Sequence, residues 1–403
     1  MNKQKHIVVL PGIFWQIKLI QKLKALGHRV TVINPAEDSP AFPYADSHIV
    51  SDIFKTENYL PLLDSQSVDA VLSDECDIAT ELVASLADHF NVPSQTVPMA
   101  QLYTNKVKMR EFLQAHHLPC PAFCICHTLE EALTFYRSLN KRMIIKPIDS
   151  NSSHGVFTID SEEDLRQHFE ESLHFSRMDK AVICEQYITG TEFTIDGIKT
   201  EHGHCCLAIS EKKHYAHNDN IANELFFSYS NPQYDYDRLR AINDQYVNLS
   251  GLPFGLTHAE YKYEDGEFYL IEIGARGGGN LISAEIVPCV SGYDNYEALI
   301  KMALGESVVD VPMVKPDYRE RCAVLKFFET PGNGGKVRKV EGLDFLDKNK
   351  QIITYHLNFK VGDCIEKAVC DTARVGYYIA YAESRTELLK LMNQIENTFK
   401  IIY

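Results

Sequence analysis

Apolar residues along the first hundred positions alternate between two kinds of pattern. The run HIVVLPG (6–12) is almost continuously apolar and ends in a turn, as a buried strand does. In QIKLIQKLKALG (16–27), Ile17, Ile20, Leu23 and Leu26 recur near helical spacing, and Gly27 supplies the stop. HRVTVINP (28–35) and VDAVLS (68–73) read as further strands, and DIATELVASLADHF (77–90) as a second amphipathic helix. Strands alternating with helices predict a parallel sheet with flanking helices. After the first strand the chain reads P-G-I-F rather than G-x-G-x-x-G, which gives a dinucleotide site little support.

The pattern changes after a proline-marked crossing, NVPSQTVP (91–98). TNKVKMREFLQAHHLPCP (104–121) predicts a helix that offers Val107, Phe112 and Leu113 for burial and ends at Pro119 and Pro121. From 143 to 209 short strands follow one another, RMIIKPI, GVFTI, AVICEQYI, TEFTIDGIK and CCLAIS, with one helix at 164–173. Another helix, DRLRAINDQYVNLSG, precedes two strands, LTHAEYKYEDG and EFYLIEIGA, joined at Asp265-Gly266, a strong hairpin signal. The remainder holds the strand RCAVLKFFE, a Gly-rich turn PGNGG, more strands and a helix at 385–399. The segment 214–232 is polar, aromatic and without strong periodicity, and is expected to shape or cover a substrate pocket.

A chain of 403 residues is too long for one core and predicts about two to three domains. Its 45% hydrophobic and 24% charged residues are those of an ordinary globular protein. The net charge of −15 argues against a nucleic-acid footprint or an anionic membrane surface, while leaving room for a local basic pocket. The first apolar run is of strand length, neither a signal peptide nor a membrane span. Eleven scattered cysteines without a C-x-x-C pair fit a reducing cytoplasm better than a disulfide framework. Those in LPCPAFCIC read as small buried hydrophobes.

Three features carry candidate chemistry. Lys146 ends the strand MIIK and leads into PIDSNSSHGV, where hydroxyls and free N–H groups suit phosphate oxygens; alone, the loop equally reads as a polar hairpin. VICEQYITGTEF places Glu185 at a strand end and Glu192 on the next strand, with a connector between them able to meet an adenine edge. Glu260 lies five residues before Asp265 and Glu272 six after Gly266, so the two are near-opposite across the hairpin. Like charges so placed call for a neutraliser, and a divalent cation fits.

The order and spacing of NKxxMREFL, IIKP with its polar loop, CEQYITGTEF, HAE and IEIGAR resemble the ATP-grasp superfamily, specifically its carboxylate–amine ligases of the L-amino-acid ligase type. Gln16 after the first strand belongs to the same resemblance. The implied fold is α/β and α+β: a Rossmann-like pre-ATP-grasp domain (1–100), a two-part ATP-binding module (101–320, lid about 140–190) and a small C-terminal α+β domain (321–403). The resemblance implies ATP and Mg²⁺, for which Mn²⁺ can substitute, and a carboxylate and an amine, amino acids foremost, as substrates.

By the same resemblance, Lys106 and Lys146 hold nucleotide phosphates, and residues 150–155, with Ser152, Ser153, His154 and Gly155, close over them. Glu185 and the backbone of Gln186, Tyr187 and Ile188 form the adenine connector, and Glu192 meets the ribose. Glu260 and Glu272 ligate magnesium, and Arg276 steadies the transferred phosphoryl group. Lys212 or Lys213 adds a phosphate contact. Gly277 to Gly279, Gly278 and Gly279 among them, let backbone N–H groups approach the acceptor carboxylate.

One departure stands out. Many members read E-x-N-x-R where this chain has Gly274, so either water or a nearby group such as Asn280 takes the ligand position. Most histidines read as hydrogen-bonding or surface groups, with His258 singled out because it shares a strand face with Glu260. Glu224 is a candidate for a substrate amino group. The expected partners are small molecules, with a homodimer left open. The competing classes are a purine-pathway-like carboxylase or formyl-phosphate-using transferase, for which a further basic cluster is expected, and an ATP-binding regulatory protein.

Overall fold

The computed structural model describes residues 4–148, 155–176 and 180–403, side chains at 219 and 220 excepted. The N-terminal unit is a parallel sheet of β1 (His6–Val9), β2 (Arg29–Asn34), β3 (Ser47–Val50) and β4 (Ala70–Leu72), in the order β3-β2-β1-β4. Helices α1 (Ile17–Ala25) and α2 (Thr80–Phe90) flank it. The sheet's Ile7, Val9, Val30 and Val32 face α1, while Val8, Leu10 and Ile33 face the other side, so the strands are apolar throughout.

The predicted 104–121 helix is shorter: α3 spans Lys106–Ala115, capped by the Asn105 side chain on the Lys108 N–H. The unit that contains the lid expected at about 140–190 begins earlier and is made of β5 (Phe123–Cys126), α4 (Leu129–Leu139), β6 (Met143–Pro147), β7 (Phe157–Ile159), α5 (Glu162–His174) and β8 (Val182–Gln186). Its strands are antiparallel in the order β5-β8-β6-β7. Helix α4 was not anticipated, although Thr128 and Glu131 form a full capping box, a signal present in the sequence.

The largest sheet contains β9 (Thr191–Thr200), β10 (Gly203–Tyr215), β11 (Asn218–Phe227), β12 (Gly255–Glu264) and β13 (Glu267–Gly274), with α6 (Tyr236–Ser250) between β11 and β12. It continues through β14 (Cys322–Phe327), β15 (Ile352–Leu357) and β16 (Gly376–Ala382), and α8 (Arg385–Thr398) packs on the C-terminal part; α7 (Asn295–Ala303) lies between β13 and β14. The strand order is β13-β12-β9-β10-β11-β14-β16-β15, every neighbour antiparallel. Residues 214–232, read as aperiodic, hold β11; bulges between Lys213, His214 and Tyr215 break the alternation that would have disclosed a strand.

Period two separates the two faces of this sheet. On the back, Phe193, Ile195, Ala259, Tyr261, Phe268, Leu270 and Ile273 are buried against Leu239 and Val247 of α6. Each such large side chain contributes about 1.5–3 kcal/mol on burial. That apolar back fixes the register and leaves the front free for charged residues. All eleven cysteines are free thiols, and among the described residues no helix is long and apolar enough to cross a membrane.

The lid's connector to β9 crosses the hairpin at Gly190, whose φ of +94° and missing side chain admit the Tyr263 carbonyl; a Cβ there would lie 2.2 Å from that oxygen. Gly190→Ala is expected to destabilise the protein by about 1–3 kcal/mol. Chemical denaturation reads this as a lower midpoint, and an unchanged midpoint would show that the connector relaxes without cost.

Candidate active site

The hairpin places the two metal-ligand candidates together. Asp265 and Gly266 both take positive φ, 51° and 87°, as a two-residue hairpin turn requires. Simple counting leaves Glu272 one position too far; a register shift after Glu260 absorbs the extra residue, so that Glu260 and Glu272 are direct partners. His258, two residues earlier, shares the face. The carboxylates do not face each other unattended: Lys106 Nζ donates to Glu272 at 3.1 Å, and Lys212 Nζ bridges Glu260 at 2.7 Å and Glu192 at 2.6 Å. His214 Nε2 lies 3.3 Å from Glu192. Burial would raise the carboxyls of Glu192 and Glu260, but Lys212 holds both below the usual range. Lys212 is itself raised, because these two carboxylates overcome its burial.

The lid side carries the opposite imbalance. Glu185 is 2% exposed and accepts from Arg110 Nε at 2.5 Å and Lys146 Nζ at 2.7 Å. Burial would raise its carboxyl, yet Arg110 and Lys146 hold it at about 2. Burial lowers Lys146 below the lysine range; Glu185 opposes this, and Arg110 and Lys106 add to it. Arg110 Nη1 is buried with no hydrogen-bond partner among the described residues. One carboxylate thus serves more cationic charge than it balances, a setting that favours phosphate oxygens. Glu185, expected in the adenine connector, has one carboxylate oxygen bound by Arg110 and the other by Lys146, which it holds in place.

The connector's backbone is also partly committed. Gln186 N–H donates to Ala122 O at 2.8 Å and Tyr187 N–H to Arg142 O at 3.0 Å, so neither is an adenine donor as expected. Ile188 is buried, and the Tyr187 ring lies beneath Arg142 and Lys262.

Arg276 is set by the N-terminal unit. Its Nε and Nη2 donate to Asp77 at 2.7 and 2.6 Å. Burial would lower Arg276 and raise Asp77, but their mutual attraction drives each the other way. This pair explains Gly274: a Cβ there would lie 2.8 Å from Asp77 Oδ1 and 3.3 Å from Arg276 Nε. The space that a longer residue would fill belongs to the ion pair.

Two of the three glycines that follow do not offer their N–H groups as expected. Gly277 N–H donates to Asp74 at 2.7 Å and Gly278 N–H to Asp196 at 3.0 Å, which removes Gly278 as a free donor to substrate. A Cβ on Gly278 would press Asp196 at 2.5 Å and His258 at 2.8 Å, whereas Gly279 has open space beside it. Asp196 also accepts from His258 Nδ1 at 2.9 Å, so His258 braces this turn. Asp74 is fully buried and further bonded by Ser283 at 2.5 Å and Tyr296 at 2.7 Å, while Gln16 grips its backbone.

Two expected residues fall elsewhere. Glu224 and Lys213 are ladder partners on the opposite face from Lys212, and Glu224 is taken by Lys213 at 2.6 Å and Lys326 at 3.2 Å beneath α8. Strand alternation thus resolves the choice of lysine on this face in favour of Lys212. Gly155 packs against Phe175 and Pro147, and Ser152, Ser153 and His154 lie outside the described residues.

Arg110, Asp77, Asp74 and Asp196 were not singled out from the sequence. Arg110 had a signal, lying four residues after Lys106 on the same helical face. Asp74 and Asp77 follow the end of β4, where open α/β sheets build sites. Asp196 had none beyond its alternation with Glu192.

Residues 139–285 match the ATP-grasp domain family, and 327–403 match L-amino acid ligase C-terminal domain 2. The chain is 24% identical over 325 residues to dapdiamide A synthase of Enterobacter agglomerans, covering 75% of this chain and 74% of that protein. L-amino acid ligase from Bacillus licheniformis superposes with a TM-score of 0.82 at 20% identity, covering 100% of both chains. Phosphoribosylglycinamide synthetase from Anaerococcus prevotii gives 0.77 at 17% identity, over 99% of this chain and 100% of that one. Residues 139–285 thus form an ATP-grasp domain, and the whole chain has the fold of the ATP-grasp ligases. The region from 327 to 403 carries the C-terminal domain of the L-amino acid ligases.

Glu185→Gln leaves Arg110 and Lys146 without their counter-charge and is expected to cost about 3–5 kcal/mol of stability at neutral pH. In the wild type this contribution is present above the ordinary carboxylate range and is lost as pH falls toward about 2. Denaturation midpoints between pH 7 and 2 should fall less steeply in the variant; parallel curves would refute the assignment.

Proposed function

We infer that the protein is an ATP-dependent ligase that joins a carboxylate to an amine, both amino-acid-like, and releases ADP and phosphate. One arrangement carries this reading: the Glu260–Glu272 rung lies beside Arg276 and next to the cation-rich surroundings of Glu185. Two opposed carboxylates whose neighbours are lysine ammoniums fit Mg²⁺, which takes few protein carboxylates and relies on phosphates and water for the rest. Magnesium bound there would neutralise phosphate charge, with Glu260 and Glu272 as its holders.

A carboxylate resists an amine because its own charge repels the nucleophile. Its oxygen attacks the γ-phosphorus and ADP leaves; the amine then attacks the acyl carbon, phosphate leaves and the amine gives up a proton. Lys106, Lys146 and Lys212 stabilise the phosphoryl charge, and Arg276, held rigid by Asp77, meets the developing charge beside the acyl group. The match of 327–403 to the L-amino acid ligase C-terminal domain supports amino-acid rather than phosphoribosyl substrates.

Paired amino acids with ATP and Mg²⁺ are expected to release ADP and phosphate together with a dipeptide detected by mass. AMP and pyrophosphate would overturn the acyl-phosphate route. Glu272→Gln should slow turnover by about 100- to 1000-fold. An undiminished rate would remove Glu272 from the metal site.

A further inference from the structure

Arg374 precedes β16 in the C-terminal region, and its side chain keeps 10% of its accessible surface. Its guanidinium lies over the Phe327 ring, 3.8 Å from the centroid. Nη2 donates to Ala222 O at 2.8 Å and pairs with Asp371 at 2.7 Å. Nε is buried and has no hydrogen-bond partner among the described residues. In Arg110 and Arg276 the same atom is bound to a carboxylate.

The charge of Arg374 is poorly matched as well. Asp371 is 49% exposed, so water screens the pair. Burial lowers Arg374 below the arginine range and Asp371 offsets only part of this, the reverse of Arg276. A buried cation with an open donor is built to receive an anion.

Its position says which anion. Ala222 is the ladder partner of His214, which reaches Glu192, so Arg374 borders the site face from the β10–β11 side. The carboxylate to be activated belongs beside Glu272 and Arg276, on β13 and the turn after it. We propose that Arg374 binds the other carboxylate, the one left free on the amine partner, and so selects an amino acid as nucleophile and aims its nitrogen at the acyl carbon. This assignment rests on the ligase reading.

The test supplies the amine partner of each productive pair as the free amino acid or as its carboxamide. In the wild type, amidation should cost roughly 10- to 100-fold in kcat/KM, mostly through KM, as expected for loss of a charged hydrogen-bond partner. Arg374→Met should lose a similar factor with the free acid and show no further loss with the amide, while the KM for ATP stays unchanged. Arg374→Lys should recover part of the effect. If Arg374→Met does not fold, Arg374→Gln takes its place. Discrimination between acid and amide that survives these substitutions overturns the proposal, as does a dependence that follows a second carboxylate on the acid partner instead. Should no pair release ADP, the ligase reading fails separately. Calorimetric titration with L-alanine and L-alaninamide in the presence of ATP and Mg²⁺ then decides: alanine binding lost in Arg374→Met supports the site, and identical titrations refute it.

Discussion

Two carboxylates facing each other across one antiparallel rung repel, and the surroundings of Glu260 and Glu272 are organised by that repulsion. The rung is imposed from behind: Ala259, Tyr261 and Ile273 cannot leave the apolar back of the sheet, so their neighbours cannot leave the front. Lys106 and Lys212 answer the charge from α3 and β10. Hydrophobic burial therefore does the electrostatic work indirectly, by removing the option of turning a glutamate away.

Across the cleft the imbalance is reversed, because Glu185 alone serves Arg110 and Lys146. Neither half is neutral by itself. Under the proposed function, the phosphates of a magnesium-bound nucleotide would meet the cations around Glu185 and its metal ion would meet the rung, answering both imbalances at once.

What the sequence disclosed and what it hid divide along contact range. The Asp265-Gly266 turn is local, and counting from it located the rung, although the register shift that perfects the pairing left no trace in the pattern. Strand alternation put His258 with Glu260. Arg276's partner Asp77 is 199 positions away, and the Asp74–Gly277 bond spans 203, so neither pairing could be read from spacing. The same blindness made Gly277 and Gly278 look like free donors and hid the engagement of Glu185 with Arg110, 75 positions away. Glu224 was misplaced for a different reason, because bulges hid the strand whose alternation turns it to the other side.

Gly274 ties the geometry of this site to that of the N-terminal unit. Because Asp77 fills the volume next to it, a side chain at 274 requires the present Asp77–Arg276 pair to shift. A substitution at 274 is therefore felt at Asp77, so the hairpin and the β4–α2 turn are energetically coupled despite their distance in sequence.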